Sequence, residues 1–465
     1  MPEQTENLRS SFSFHLLTIL GGQAACALLS VGIEIFYARV LGATGRGQIG
    51  LCLMAVAACV LFGGLGVEYP ALVWAAERRH RHAEWIPGVF WAGATGSAVA
   101  IALWAFFYWH LQPSFLHGIT PTMAWLVMAT IPCGVFFGYL MAIVAGQERF
   151  GLRAGVALAE QATSLVVLGI LVLIFGRKAE TAVAANLCAI LLGAGICLFS
   201  IRDHWNLPSL NTSALSEMRT ALGLGLPAIM GNVANFFNYR LDVFVVNYFL
   251  NPAAVGIYSL GVVVSEGLWQ IPRAMALALF PRTARTASDE ATEFTCLITR
   301  QVFLIASAMG IVVAMASPLV VPLIFGKHFA GSVAVIWWIL PGTVTLAVAK
   351  IMCADLAGRK KGYYASFFAL FSFLLTIGLD FTLIPKIGIN GAAIASSVSY
   401  IVNSVLVAVV LKRELKVSWR TLLVPRRAEW TAYLHLWSRY RARLQPPVVA
   451  VDDPPRRVSL SETRS

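Results

Sequence analysis

The stretch GNVANFFNYRLDVFVVNYFLNPAAVGIYS, residues 231–259, is mostly apolar but carries amide, hydroxyl and charged side chains. On an α-helix, one arc of about 120° contains five of the polar side chains, namely Asn232, Asn235, Asn238, Tyr239 and Asp242. Arg240 points elsewhere, because residues two apart do not share a helix face. Polar groups inside a hydrophobic span are costly and mark a water-lined cavity or a substrate path. The stretch predicts a membrane helix with a functional polar face.

The composition of the whole chain is that of a polytopic membrane protein. Of the 465 residues, 58% are hydrophobic and only 12% are charged, and the mean hydropathy is +0.74. A soluble protein carries about 25% charged residues, so this chain cannot keep a water-facing surface over most of its area. The loops are short and contain no GxSxG, HExxH or Walker sequence. We therefore expect no enzyme activity, no cofactor and no metal site.

Hydrophobic runs divide the chain into twelve candidate membrane helices, since one span needs about 20 apolar residues. They cover residues 13–41, 47–76, 85–109, 120–146, 151–176, 180–201, 218–250, 254–279, 294–325, 332–357, 363–385 and 389–412. The loops after even-numbered helices hold twelve Lys and Arg residues, against six after odd-numbered helices. The positive-inside rule then places both termini in the cytoplasm. The predicted fold class is all-α integral membrane.

The two halves of the chain contain related turns. LGATGRGQIGL at residues 41–51 and LNPAAVGIYSL at residues 250–260 share Leu, Gly and Leu at the same spacing. Six helices separate the copies, so both halves face the membrane in the same way. We expect two six-helix lobes related by a pseudo-twofold repeat. The N-lobe covers residues 13–201 and the C-lobe residues 218–412.

The remaining segments are expected to be cytoplasmic. They are the N-terminus at residues 1–12, the inter-lobe linker at residues 202–217 and the tail at residues 413–465. From Lys412 onwards there are twelve Lys and Arg against five Asp and Glu. An anionic membrane leaflet explains this charge more simply than nucleic acid does. Within the tail, aromatic and leucine residues alternate with arginines over residues 430–444, which predicts a helix in the headgroup layer.

Several ionisable residues lie inside predicted spans, where each needs a partner or a purpose. Glu34 and Asp242 lie seven and eight residues before Leu41 and Leu250, so both are about 11–12 Å below the outer surface. Arg240 is expected to pair with a carboxylate on a neighbouring helix, and Glu34 is the first candidate. Four residues near helix ends are assigned no role: Glu68, Lys350, Asp355 and Asp380.

Five motifs point to a family. They are ILGGQAA from Ile19, ARVLGATGRGQIGL from Ala38, NYRLDVFVVNYFLNPAAVGIYS from Asn238, IPRAMALALFPRTAR from Ile271 and GINGAAIASSVSY from Gly388. With them the chain resembles the oligosaccharide flippase family (polysaccharide transporter, Wzx-type) of the multidrug/oligosaccharidyl-lipid/polysaccharide exporter superfamily. The resemblance covers helices one to twelve, and Arg240 and Asp242 match the family's Arg and Asp on helix seven. The long basic tail is not an expected family feature.

The resemblance implies a bacterial inner-membrane protein with a central cavity lined mainly by helices one, two, seven and eight. It implies that an undecaprenyl-diphosphate-linked oligosaccharide moves from the cytoplasmic to the periplasmic face by alternating access, for surface polysaccharide, exopolysaccharide or O-antigen assembly. The lipid bilayer surrounds the protein, and a polysaccharide polymerase and glycosyltransferases are candidate partners. No nucleic acid is expected.

Side chains suited to such a substrate lie in helices one, seven and eight. The predicted cavity residues are Asn232, Asn235, Asn238, Tyr239, Arg240, Asp242, Glu34, Glu266, Trp269, Gln270 and Arg273. Amide and aromatic groups suit sugars, and the two arginines suit a diphosphate. Proton or sodium coupling is predicted for four carboxylates: Glu34, Asp242, Glu266 and Glu160. Two alternatives stay open, a cation-coupled drug or metabolite exporter and a membrane scaffold acting through the basic tail.

Overall fold

The structure, a computed structural model, describes residues 21–77, 82–202, 212–270, 272, 275 and 289–424, and every regular element within these ranges is a helix. The helices are α1 (21–36, continued by the π-helical turn Tyr37–Leu41), α2 (Gly42–Gly63), α3 (Glu68–Glu77), α4 (His82–Leu111), α5 (Pro121–Gly146), α6 (Phe150–Phe175), α7 (Ala179–Ile201), α8 (Thr212–Phe249), α9 (Pro252–Glu266, continued by the 3₁₀ turn Gly267–Trp269), α10 (Asp289–Phe325), α11 (Gly331–Gly358), α12 (Tyr363–Ile387), α13 (Ile389–Leu415) and α14 (Trp419–Leu423). A 3₁₀ turn, Lys327–Phe329, joins α10 to α11.

The number of membrane spans agrees with the prediction of about twelve. Within the described ranges, ten helices are long and apolar enough to cross a membrane, and the two halves of α8 together supply an eleventh. One of the ten is the 43-residue run Gly21–Gly63, about twice the length that a bilayer needs. Gly42 interrupts it with a φ of 71°. Glu34 and Arg46 would be about 18 Å apart along a straight helix, yet they form an ion pair at 2.8 Å. The chain therefore turns back at Gly42, and the run contains two spans.

The two halves of the chain pack in the same way, which confirms the predicted repeat of six-helix lobes. In the N-lobe, α5 packs against α2, α4 and α7, and α7 packs against α6. In the C-lobe, α11 packs against α9, α10 and α13, and α13 packs against α12. These are the same four pairings, because the fourth span of each half contacts the second, third and sixth, and the fifth contacts the sixth. Large apolar side chains on the outside of the lobes, such as Leu173 and Met315, are exposed as lipid-facing residues are.

Helix ends differ from the predicted limits by a few residues in most spans. The seventh span begins at Thr212 rather than at residue 218, and so extends into the predicted linker 202–217. The twelfth ends at Leu415 and is followed by the short helix α14, which packs on α10. The proposed interfacial helix at residues 430–444 lies outside the described residues.

Contacts between helix ends fall into two sets that match the predicted alternation of sides. The side chain of Asn247, at the end of the seventh span, donates to the carbonyls of Phe115 (2.9 Å) and His117 (3.1 Å), which follow the third span. Arg149, after the fourth span, donates to the carbonyl of Ser200 at the end of the sixth, at 3.0 Å. Ends of odd-numbered spans thus meet one another, as do ends of even-numbered spans.

Helix α8 is bent, and it links the two lobes. Its halves, Ser213–Ile229 and Asn232–Phe249, differ in direction by 49°. The bend follows Gly223, Gly225 and Pro227, and proline and glycine are the usual causes of sharp kinks. The first half packs on α4 and α3 of the N-lobe, whereas the second half packs on α12 of its own lobe.

Candidate functional site

The polar face of α8 does not have a single environment. Asn232 is exposed, and Asn235, Tyr239 and Arg240 are half-buried. Asn238 and Asp242 are only 1% and 2% exposed, because they lie on the side of α8 that packs inside the C-lobe. The sequence predicts one polar face for these side chains. In the structure, part of that face is accessible and part is enclosed by the C-lobe.

Arg240 forms a bidentate ion pair with Glu266 of α9. Its Nη1 and Nη2 donate to the two carboxylate oxygens at 2.9 and 2.7 Å. The side chain of Arg240 is 27% exposed and that of Glu266 is 13% exposed. The expectation that Glu34 would be the first partner of Arg240 is wrong. Glu266 lies on the helix that directly follows α8, and its carboxylate presents two oxygens to the planar guanidinium.

Glu34 pairs instead with Arg46, the buried arginine of α2. The Nη2 of Arg46 lies 2.8 Å from the Glu34 carboxylate, and its Nη1 donates to the carbonyl of Gly256 at 2.6 Å and to Ser259 at 2.5 Å, both on α9. The two helices cross closely there. A Cβ on Gly47 would lie 1.6 Å from the carbonyl oxygen of Pro252, so only glycine fits. Arg46 therefore ties the two lobes together at the end of the molecule where α2 and α9 begin.

The same end is closed by the segment between α4 and α5. Gln48 donates to the carbonyl of Gly118 at 2.8 Å, and the ring of Phe115 stacks on Tyr248 at 4.4 Å. Gly118 has a φ of +91° and lies against Pro252. Together with the α2–α9 crossing, these contacts close the predicted outer side between the lobes.

Asp242 belongs to a polar cluster enclosed within the C-lobe. Its carboxylate accepts hydrogen bonds from the hydroxyl of Tyr258, from Ser396 at 3.2 Å and from the backbone N–H of Val243 at 2.8 Å. On the same side of α8, the hydroxyl of Thr376 lies 3.4 Å from the Asn238 side-chain oxygen. Helices α8, α9, α12 and α13 each contribute to this cluster.

Asp380 is the residue of this cluster that the sequence does not reveal. It lies one turn beyond Thr376 on α12, is fully buried and interacts electrostatically with Asp242. Among the described residues, neither of its carboxylate oxygens has a hydrogen-bond partner. Asp380 was assigned no role because it lies near the end of a predicted span. The sequence feature that could have indicated its role is the four-residue spacing from Thr376, which places both side chains on one helix face.

The other predicted site residues have varied surroundings. Trp269 is 3% exposed and donates from its ring nitrogen to the carbonyl of Thr343 at 3.2 Å, whereas Gln270 is exposed. Glu160 is half-buried on α6 of the N-lobe and interacts electrostatically with Cys26. Arg273 lies outside the described residues.

Comparison with known proteins gives a consistent result. Residues 15–287 match the family described as polysaccharide biosynthesis protein. A region of 276 residues is 24% identical to the probable low-salt glycan biosynthesis flippase Agl15 of Haloferax volcanii, covering 57% of this chain and 56% of that protein. The chain thus matches a little over half the length of this relative.

Solved structures share the fold at low sequence identity. The lipid II flippase MurJ, in an inward closed conformation, gives a TM-score of 0.69 at 13% identity, covering 92% of this chain and 93% of that chain. A multidrug resistance MATE family transporter of the MOP superfamily, in an inward-facing conformation, gives 0.68 at 14% identity, covering 84% and 94%. VcmN, a MATE transporter of Vibrio cholerae, gives 0.59 at 16% identity, covering 88% and 98%.

The family match covers more than half of the chain, and the two-lobe arrangement of about twelve spans is the fold of the MurJ and MATE structures. The chain belongs to the polysaccharide biosynthesis protein family and is a multi-pass membrane protein.

Proposed function

We propose that this protein translocates a lipid-diphosphate-linked oligosaccharide across the bacterial inner membrane, for the assembly of surface polysaccharide such as O-antigen. The observation that carries the proposal is the accessible polar surface of α8 and α9 at membrane depth, where Arg240, Glu266 and Asn235 are only partly buried. Charged groups at this depth are costly to bury, and they commonly mark the path of a substrate or an ion. Membership of the polysaccharide biosynthesis family and similarity to a protein named as a glycan biosynthesis flippase support the choice of substrate class.

Alternating access supplies the mechanism of translocation. The α2–α9 crossing and the contacts of residues 112–120 close the predicted periplasmic side, so a substrate headgroup would leave only after this contact opens. The bend in α8 separates a half that packs on the N-lobe from a half that packs on the C-lobe. Movement of one lobe against the other would therefore straighten or bend α8 about Gly225 and Pro227.

A monovalent cation, H⁺ or Na⁺, would drive the cycle through Asp242 and Asp380. Two buried carboxylates that interact electrostatically repel each other when both are charged. Binding of a proton or a sodium ion would lower this repulsion, and the hydroxyl and amide oxygens of Ser396, Thr376 and Asn238 are hard donors suited to sodium. Of the four carboxylates predicted for coupling, Asp242 is retained, while Glu34 and Glu266 already have arginine partners.

Reconstitution into liposomes tests the function directly. We expect the purified protein to move a fluorescent undecaprenyl-diphosphate-linked oligosaccharide between leaflets, measured by quenching with a membrane-impermeant reagent. A variant carrying Arg240→Gln together with Glu266→Gln, which removes both charges and keeps the side chains polar, should slow this movement. Rates equal to those of empty liposomes for the unaltered protein would refute the proposed function.

The second candidate is a cation-coupled exporter of drugs or metabolites. It is favoured by the similarity of the fold to MATE transporters and by the two carboxylates of the C-lobe cluster. The same liposomes, loaded with an organic cation such as ethidium and given a sodium or proton gradient, distinguish the two. Movement of the organic cation without movement of the lipid-linked oligosaccharide would favour the exporter, and the reverse result would argue against it.

A further inference from the structure

The chain turns sharply after the twelfth span and folds back onto the C-lobe. Lys416 ends α13 in the left-handed conformation, with a φ of 53°. Ser418 then caps α14, because its hydroxyl accepts a hydrogen bond from the backbone N–H of Thr421 at 3.1 Å. The guanidinium of the buried Arg300 on α10 donates to the carbonyl of Thr421, and Leu422 is fully buried in the core of the C-lobe. The short helix α14 is therefore fixed against the protein.

The surface formed by the end of α13 and by α14 is basic. Residues 412–424 contain one acid, Glu414, whose carboxylate lies 2.5 Å from the ammonium of Lys361. The same residues contain four cations: Lys412, Arg413, Lys416 and Arg420. All of these cations except the half-buried Lys412 are exposed. Because Lys361 already pairs with the acid, the four cations give this surface a net positive charge on the predicted cytoplasmic side.

Trp419 connects the basic surface to an apolar groove. The ammonium nitrogen of Lys412 is 4.9 Å from the centroid of the Trp419 ring, so the end of α13 contacts α14. Trp419 and Leu423 also line a cavity of about 160 Å³ that lies between α10, α11 and α13. Lys416 is in the turn that joins α13 to α14, and Arg420 is next to Trp419 in the chain. Cations thus surround the same end of the groove.

The groove is suited to hydrocarbon. Three of its lining residues, Phe303, Val405 and Trp419, are 37%, 53% and 40% exposed, so the groove opens to the surrounding lipid. The lining hydroxyls of Thr345 and Ser404 already donate to carbonyls of their own helices, at 2.9 and 2.7 Å. Neither hydroxyl needs a partner from a molecule in the groove. An acyl chain can therefore lie there without leaving these donors unsatisfied.

We propose that this surface binds an anionic phospholipid of the predicted cytoplasmic leaflet, with one acyl chain in the groove and the headgroup phosphate on Lys416 and Arg420. Charge complementarity identifies the occupant, because basic residues at a membrane surface attract anionic lipids. Tryptophan rings favour the level of the headgroups. The eleven residues from Lys412 back to Ile401, another lining residue, span about 16 Å, close to the hydrocarbon thickness of one leaflet, about 15 Å.

Lipid binding to the full-length protein in detergent, measured by native mass spectrometry, tests the basic surface. The probes are phosphatidylglycerol and phosphatidylcholine with identical acyl chains, and we expect the anionic lipid to bind more tightly. Lys416→Gln together with Arg420→Gln should weaken phosphatidylglycerol binding about 10- to 30-fold, because each basic residue near a membrane surface contributes a factor of about five. Binding of phosphatidylcholine should change little.

A matched pair separates this site from general surface charge. Arg153→Gln together with Arg219→Gln also removes two exposed arginines from the predicted cytoplasmic side, and this variant should bind phosphatidylglycerol as the unaltered protein does. Equal losses in the two double variants would overturn the inference, as would equal binding of the two lipids to the unaltered protein.

The groove has its own test. Val405→Trp should fill it and weaken binding of both lipids. Val398→Trp is the control, since Val398 is 39% exposed and lies two turns away on the same face of α13. Equal binding to these two variants would show that no acyl chain enters the groove. A dimer that Val405→Trp abolishes would assign the groove to a second copy of the chain, and displacement of phosphatidylglycerol by an equal concentration of a farnesyl-diphosphate-linked sugar would assign it to the substrate. Each of these results would overturn the inference.

Discussion

Glu34 and Asp242 are carboxylates at about the same depth in the first helix of each lobe, yet their surroundings differ. Glu34 is 26% exposed and pairs with Arg46 between the lobes. Asp242 is 2% exposed and lies inside the C-lobe, with hydroxyl groups and Asp380 around it. The first carboxylate is neutralised by the protein itself, whereas the second shares its enclosure with another carboxylate.

The repeat explains the difference once its register is considered. Alignment of Leu41 with Leu250 places Glu34 opposite Val243 and not opposite Asp242. A shift of one residue turns a side chain by about 100° around a helix, so Glu34 points toward α2 and α9 while Asp242 points into its own lobe. The same alignment places Arg46 opposite Val255, so the C-lobe has no arginine at the corresponding position. Similar depth therefore does not imply similar chemistry.

Removal of the arginine partner is expected to have the largest effect. Arg46→Met should lower the free energy of unfolding in detergent by about 3 kcal/mol, because breaking a buried ion pair leaves one charge uncompensated. The value is at the low end of the usual range, since Glu34 keeps some solvent contact. Thermal or denaturant unfolding of the purified protein measures it.

The double variant Glu34→Gln with Arg46→Met is the control for this pair. It should recover a large part of the lost stability, because no unpaired charge remains. If the double variant is as unstable as the single one, the hydrogen bonds of Arg46 to Gly256 and Ser259 contribute more to stability than the ion pair does. The difference between Glu34 and Asp242 would then come from contacts between the lobes and not from charge neutralisation.

The C-lobe carboxylates are expected to affect coupling more than stability. Asp380→Asn removes one of the two charges and should reduce the stimulation of flipping by a sodium or proton gradient about 5- to 150-fold, the range of usual coupling energies. Flipping rates in liposomes with and without an imposed gradient measure it. Full gradient dependence in the variant would show that the Asp242–Asp380 cluster is not the coupling site.

The smallest effect is expected for Glu160, the N-lobe residue that remains of the four carboxylates predicted for coupling. Glu160 is half-buried on α6 and interacts electrostatically with Cys26. Glu160→Gln should change the free energy of unfolding by less than about 1 kcal/mol, as substitutions away from buried networks do. Gradient dependence should also stay at the level of the unaltered protein. A loss of gradient dependence comparable to that of Asp380→Asn would show that part of the coupling takes place in the N-lobe.

The spans, the repeat and the polar character of the seventh helix could be predicted from the sequence. Hydrophobic runs report on each helix separately, and the predicted spans agree with α4, α5, α6 and α7 to within about three residues at each end. The bend in α8 likewise has a local cause, the glycines and proline at positions 223–227. Such features depend on residues that are close together in the chain.

The contacts between helices could not be predicted from the sequence. Arg240 pairs with Glu266 and not with Glu34. Asp380 interacts electrostatically with Asp242, and the Lys350 ammonium lies over the rings of Tyr239 and Trp269. Asp380 and Lys350 were set aside because depth along a helix was the only criterion available for them. Depth does not tell which neighbouring helix a side chain faces.

The sequence by itself determined that this is an all-helical membrane protein of two related halves, because the cost of placing polar groups in hydrocarbon acts on each segment independently. Only the tertiary structure decided which charges are neutralised and which are enclosed together. Side chains on four different helices must approach within a few ångströms to form the Asp242 cluster, and that approach depends on the rotation and crossing of helices far apart in the chain. The partners of each buried charge are therefore a property of the packed lobes.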